Sequence, residues 1–228
     1  MKELTVLMPC LNEAGTLPGC IAEAAKCIRE NNLDAEILIA DNGSTDGSVE
    51  IAERCGARMV RISEKGYGAA VLGGIRAAEG AYIIMGDADG SYDFSSLVSF
   101  LKALRDGYAL VVGNRFAGGI EKGAMPFLHR IGVPVLSGIA RCKCGAPVYD
   151  FHCGLRGFDR EKALELSMQC PGMEFATEMI VAFAGSGAEI CEIPTPLRRD
   201  KRGHRSHLRT FRDGWRHFKF IMSVYGRK

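Results

Sequence analysis

Five short apolar runs, each followed or preceded by a helical pattern, constrain this chain more than any other feature. Leu4 to Met8, Glu36 to Ala40, Arg58 to Ile62, Ala81 to Met85 and Ala109 to Val112 read as strands. Between the first two, Leu17, Cys20, Ile21, Ala24, Cys27 and Ile28 recur at helical spacing. Ser44-Thr45-Asp46 offers caps for a helix through Arg54, and helices are predicted over 67–78 and 94–104. Strands alternating with helices imply an α/β fold, a mostly parallel sheet with helices on both faces. Such sheets take ligands at the carboxyl ends of their strands, so the residues after each strand carry the functional information.

Those residues are polar or acidic in every case. The first strand runs into Pro9-Cys10-Leu11-Asn12-Glu13, and the second into Asp41-Asn42-Gly43-Ser44-Thr45-Asp46-Gly47. The fourth ends in Gly86-Asp87-Ala88-Asp89-Gly90-Ser91, and the fifth in Gly113-Asn114-Arg115. Asp87 and Asp89 stand two apart after a buried strand. In an extended turn both can give an oxygen to one hard cation, Mg²⁺ or Mn²⁺, which prefers carboxylates together with phosphate oxygens. The plain alternative is a polar turn that caps the helix near Phe94. Asp41 has two readings as well: a hydrogen-bond acceptor for a base or ribose, or a device of its own turn. Gly66-Tyr67-Gly68 opens a helix but lacks the third glycine of a dinucleotide fingerprint and follows the wrong strand, which argues against NAD. Small residues there suit a helix N-terminus approaching a nucleotide or its phosphates.

Composition narrows the classes. With 228 residues, 47% hydrophobic and 25% charged, the chain has room for a core that needs no covalent staple. The nine cysteines are scattered and no secretory signal precedes them, so reduced thiols in the cytoplasm are expected. Cys142-Lys143-Cys144 does not have the spacing of a common zinc motif. From Arg198 onward eleven Lys and Arg face two Asp, a balance of +9; the net charge of +2 leaves −7 on the first 197 residues. A basic tail on an acidic body suits an anionic partner. No nucleic-acid motif accompanies it. No apolar run approaches the ~20 residues of a membrane span, so a chain that meets a membrane would lie on it, as a peripheral protein of the inner face.

These motifs, in this order, resemble family 2 glycosyltransferases with the Rossmann-like GT-A fold. Pro9 to Glu13, Asp41 to Gly47, Lys65 to Ala70, Gly86 to Ser91, Gly113 to Arg115, Asp150 to Phe158 and Glu192-Ile193-Pro194 carry the resemblance, which assigns residues 1–197 to the glycosyltransferase domain and leaves 198–228 as a basic amphipathic tail. Within the family the likeness is to polyprenyl- and dolichyl-phosphate sugar synthases. Their basic stretch appears as Lys201-Arg202-Gly203-His204-Arg205-Ser206-His207, with the usual Gly-x-Ser-Lys ending altered. The resemblance implies a nucleotide-sugar donor, GDP- or UDP-linked, held near Pro9, Leu11, Glu13, Asp41, Gly66, Asp87 and Ala88. It implies a metal on Asp87 and Asp89, helped by Ser91, and inversion at the anomeric carbon, with Asp89, Arg115 and Arg202 as catalytic residues.

The acceptor divides the remaining readings. A hydroxyl needs a general base, for which Glu174 and Glu178 are candidates. A phosphate is already largely dianionic and needs cations instead. Arg115, Arg202 and Arg205 supply them, and His152 is either a phosphate contact or a structural histidine. The leading expectation is sugar transfer to a polyprenyl phosphate; a saccharide hydroxyl is the alternative, and a nucleotidyltransferase the distant one, since Pro9 to Thr16 lacks a Gly-rich basic loop. In the tail, Phe211, Trp215, Phe218, Met222 and Tyr225 recur at helical spacing beside Arg209, Arg212, Arg216 and Lys219. That pattern fits a helix lying in a headgroup layer, or equally one packed on the domain. Ile131 to Ala140, interrupted by Pro134, is a second apolar stretch suited to lipid.

Overall fold

The computed structural model describes residues 2–202 and 210–224. The strands are β1 (Lys2–Cys10), β2 (Ala35–Asp41), β3 (Arg58–Arg61), β4 (Gly80–Met85), β5 (Leu110–Asn114), β6 (Arg156–Asp159) and β7 (Ile190–Pro194). The helices are α1 (Leu17–Glu30), α2 (Ser48–Arg54), α3 (Tyr67–Ala77), α4 (Leu97–Arg105), α5 (Arg115–Gly118), α6 (Phe127–Cys144), α7 (Arg160–Glu165), α8 (Phe175–Gly185) and α9 (Thr210–Val224). A 3-10 turn, Phe94–Ser96, leads into α4.

The strands form one sheet in the order β3-β2-β1-β4-β6-β5-β7, parallel except for β6, which is antiparallel to both neighbours. The five runs expected from sequence are β1 to β5. β6 escaped because Arg-Gly-Phe-Asp has no apolar run; its partners on both sides make it a strand. The order reverses direction between β1 and β4, so the carboxyl ends of β1, β2 and β4 open onto a common crevice.

The core explains why the alternation reads so clearly. Leu4, Val6, Leu7 and Met8 of β1 are fully buried, with Leu7 against Gly74 of α3, and α1 adds Leu17, Cys20, Ile21, Ala24 and Cys27 to the same core. Each large side chain removed from water contributes about 1.5–3 kcal/mol, so the sheet and its helices need no cross-link. The nine thiols are free.

Two local expectations change. Asp46, rather than Ser44 or Thr45, serves the start of α2: its carboxylate accepts from the Ser48 amide at 3.1 Å, two residues on. Pro134 does not interrupt its helix; α6 runs through it. Both Pro134 and Arg130, whose carbonyl loses a partner there, are exposed, so water can take the place of the missing N–H.

Candidate active site

The β1–β2 side of the crevice is knitted together by side chains at the strand ends. Asn12, at φ 59°, accepts from the Thr45 amide at 2.8 Å, and its own amide donates to the Ser44 hydroxyl. Asp41 accepts from the Gly43 and Ser44 amides, each at 3.1 Å, so its carboxylate holds its own turn. Asp46 does the same for the next turn and also takes the Ala14 amide. A carboxylate has capacity beyond two hydrogen bonds, so the turn role of Asp41 does not use it up. Asn42 accepts from Gly66 N at 2.8 Å and donates to the Glu64 carbonyl at 2.7 Å, pinning the loop before α3.

The fold itself gives Gly66 a structural duty. Its φ of 134° requires glycine, and a Cβ there would strike the Pro171 carbonyl; one at Gly68 would strike that of Cys170. The Ala69 amide donates to Pro171 O. The start of α3 is therefore close-packed against the 170–172 loop. Its small residues serve the approach of chain to chain.

The Asp87-Ala88-Asp89 turn follows β4. Ala88 is buried, and Asp89 accepts from the Ser91 amide at 2.9 Å. Burial, then the neighbouring Asp89 carboxylate, pushes the Asp87 carboxyl well above the usual range, against the pull of Arg202, a hydrogen bond from Tyr67, and Arg115. Gly154 lies so close that a Cβ would strike Asp87 Oδ2. Two carboxylates that repel each other in a buried crevice call for a cation. Arg202 already answers that call: its guanidinium donates to Asp89 Oδ2 at 2.9 Å and Glu13 Oε1 at 3.2 Å, and pairs with Asp200. Among the described residues, no cluster of three or more His, Cys, Asp or Glu could cage a metal alone. The donor set fits Mg²⁺ or Mn²⁺, which bind through one or two carboxylates and complete their shell with phosphate oxygens and water. Ser91 is buried beside them.

The side of the crevice next to β5 is built on charge. Arg115, first residue of α5, forms a two-pronged pair with Asp150: Nε to Oδ2 and Nη2 to Oδ1, both 2.7 Å. The Asp150 side chain is fully buried and that of Arg115 only 11% exposed. Nη1 lies outside the pair. Burial disfavours the charge on Arg115, and the Asp150 carboxylate paired with it holds the guanidinium charged. Arg156, buried beneath, donates to the carbonyls of Phe151, Cys153 and Ala176 and fixes the loop that presents Asp150.

The structure thus gathers Glu13, Asp89 and Arg202 through direct contacts, with Asp87 within electrostatic reach of Asp89, Arg202 and Arg115. Pro9 and Leu11 lie at the β1 end beside them. His152 goes elsewhere: it packs edge-on against His217 of α9 at 4.5 Å, and its Nε2 is buried without a partner. Burial and the charges of His217, Arg115, Arg156 and His129 hold it well below the usual histidine range. That is the structural-histidine reading, in place of a phosphate contact. Arg205 lies outside the described residues. Sequence reasoning missed Tyr67, Tyr92, Asp150 and Asp200. Asp150 sat within a quoted motif, and a lone acid after an apolar loop was the available signal.

A seven-stranded, mostly parallel sheet with an Asp-x-Asp turn after β4 and carboxylates at the β1 and β2 ends defines a GT-A glycosyltransferase fold. Residues 5–167 match glycosyl transferase family 2, and the chain belongs to that family. It is 38% identical over 221 residues to the low-salt glycan biosynthesis hexosyltransferase Agl6 of Haloferax volcanii, covering 96% of this chain and 53% of that one. The chain therefore spans about half the length of that relative. A dolichyl-phosphate hexose transferase of the same organism is 31% identical over 222 residues, covering 97% and 93%. Among solved structures, Mycobacterium tuberculosis glucosyl-3-phosphoglycerate synthase in complex with Mn²⁺, uridine-diphosphate-glucose and phosphoglyceric acid superposes with a TM-score of 0.77, at 20% identity, over 99% of this chain and 80% of that one. At that identity the likeness speaks for the fold.

Proposed function

We propose that the chain moves a sugar, with inversion, from a nucleotide-diphosphate sugar to a polyprenyl phosphate at a membrane surface. The observation that carries this reading is the imbalance on the acceptor side. A cation, Arg115, is locked in place there, while both candidate bases are engaged. Glu174 is paired through one oxygen with Arg216 at 2.7 Å, while its other oxygen is buried without a hydrogen-bond partner. Glu178 accepts from the Gln169 and Cys170 amides at 3.0 and 2.8 Å. A phosphate acceptor needs positioning and no deprotonation.

In this reading, Pro9, Leu11, Glu13, Asp41, Gly66 and Ala88 shape the donor rim, and Asp87 and Asp89, with Ser91, hold the divalent metal. When bound, the metal neutralises the diphosphate and makes it a better leaving group. Arg115 and Arg202, joined by Arg205, bring the acceptor phosphate to the anomeric carbon opposite the diphosphate. Its oxygen forms the new C–O bond as the bond to the diphosphate breaks.

Two exposed faces support the membrane surface. Phe127, Ile131 and Val135 recur every four residues on α6 and are 74%, 53% and 55% exposed. On α9, His217 and Ile221 are buried while Trp215 and Met222 face outward. The helix is thus packed on the domain and still presents an apolar stripe, so the two sequence readings of the tail are compatible. Among the described residues, no helix is long and apolar enough to cross a membrane. Apolar residues with flanking Arg and Lys suit binding in the headgroup plane. The dolichyl-phosphate hexose transferase likeness supports the same acceptor class.

The test is to incubate the protein and Mn²⁺ or Mg²⁺ with a panel of nucleotide sugars and a polyprenyl phosphate. A glycolipid from one donor is expected. No glycolipid from any donor, with efficient transfer to a free sugar or glycan, overturns the proposal.

A further inference from the structure

The Arg115–Asp150 pair does not stand alone. Asp150 sits in a loop, and loops hold a side chain only as firmly as they are themselves held. Here a third residue grips the loop: Glu192 of β7. Its Oε1 accepts from the Tyr149 amide at 2.7 Å and the Asp150 amide at 2.8 Å. Its Oε2 accepts from Asn114 Nδ2 at 2.9 Å. Asn114 in turn accepts the Ala117 amide at 2.9 Å, closing the first turn of α5, the helix that Arg115 begins.

One carboxylate therefore fixes Arg115 from both ends. Through the loop amides it sets the place of Asp150, which holds the guanidinium. Through Asn114 it sets the backbone from which Arg115 springs. The parallel pairing of β5 and β7, with Val112 opposite Glu192 and Asn114 opposite Pro194, brings the two side chains together across 78 residues of sequence. Asn114 is 9% exposed and Glu192 half-buried, so water relieves a mismatch at this contact only in part.

We infer that Glu192, acting with Asn114, is a positioning residue for the acceptor: it sets where Arg115 meets the acceptor's phosphate. This rests on the reading of Arg115 as the acceptor's cation. Glu192 itself touches no reacting atom.

The hydrogen-bond polarity offers a swap. In Glu192→Gln, an oxygen kept toward the loop amides leaves an NH2 facing the NH2 of Asn114, donor against donor. In Asn114→Asp, two carboxylates face each other. The double variant, Glu192→Gln with Asn114→Asp, reverses the bond. The amide on β7 then donates to the carboxylate on β5, whose other oxygen still takes Ala117 N, and the pair's net charge is that of the natural protein. Full-length variants are compared using a short-chain polyprenyl phosphate, the donor sugar found by panel screening, and Mn²⁺. Each single variant is expected to raise the acceptor KM roughly tenfold, as a mispaired buried polar group does. Donor affinity should stay unchanged, and the double variant should recover most of the loss. Arg115→Lys is run alongside. If it leaves the acceptor KM unchanged, the parent reading of Arg115 fails. If it raises KM while Glu192→Gln lowers only thermal stability or kcat, this inference fails and the parent reading stands. A double variant no better than the singles also overturns it.

Discussion

The donor and acceptor sides of the crevice share one edge of the sheet, yet they are assembled from different bonds. On the donor side, Asn12, Asp41, Asn42 and Asp46 each satisfy backbone amides of nearby turns, and none of these contacts needs a partner charge. On the acceptor side, Arg115 and Asp150 are buried charges that hold one another, and Arg202 reaches across from the tail to Asp89 and Glu13, 113 and 189 residues away. Only the bonds of Asp41 stay within its own turn, but losing a side chain from any of these contacts strands no charge. Breaking a buried ion pair does, because the survivor is left charged in a poor solvent. The donor side should therefore lose function cleanly on mutation, while the acceptor side should lose function and stability together.

The largest effect is expected at Asp89. Replacing it with Asn should lower kcat/KM about a thousandfold, by removing charge from the diphosphate-binding turn, with a smaller loss of melting temperature than at Asp150, because Arg202 keeps Glu13 and Asp200 as partners. Steady-state kinetics and a thermal melt check both halves of that statement. Asp150→Ala should behave in the opposite way. It strands the Arg115 charge, and denaturant unfolding should show a loss of about 3–5 kcal/mol alongside lost transfer. Equal stability in these two variants would break the contrast.

Arg202 spans the two sides, so its removal sharpens the comparison. Arg202→Ala leaves Asp89 and Glu13 without their cation, and Mn²⁺ should then raise the melting temperature more than it does in the natural protein. A smaller effect is expected on α6, where Ile131→Glu should weaken binding to anionic vesicles about tenfold and leave kinetics with a short-chain acceptor unchanged. The smallest concerns pH. Asp87 must give up a proton held by burial and by Asp89, so Mn²⁺ affinity should rise with pH across neutrality. In the metal-free protein, the stability this carboxyl contributes is present in acid and lost as pH rises through its elevated folded pKa. Titration at several pH values reads both.

Much of the donor side was legible because its chemistry is written in consecutive residues. A strand followed by Asp-Asn-Gly-Ser-Thr-Asp-Gly announces a turn that its own side chains will close. Asp87 and Asp89 were found by the same logic. The packing duty of Gly66 was not legible, because a glycine reveals that something comes close without revealing what, and here the Pro171 carbonyl does. His152 was ambiguous because histidine serves packing and ligands alike until its neighbours are known.

By itself, then, the sequence determined the alternating sheet and the acidic turns on its rim, since both follow from periodicity and from hydrogen bonds between near neighbours. The tertiary structure decided which charges meet. Asp150 with Arg115, Glu192 with Asn114, and Arg202 with Asp89 are pairs whose members lie on different elements. No local pattern encodes them, because their geometry comes from strand order and from the packing of α6, α8 and α9. Arg115 was a cation at a strand end in the sequence; the fold made it a cation held in one place.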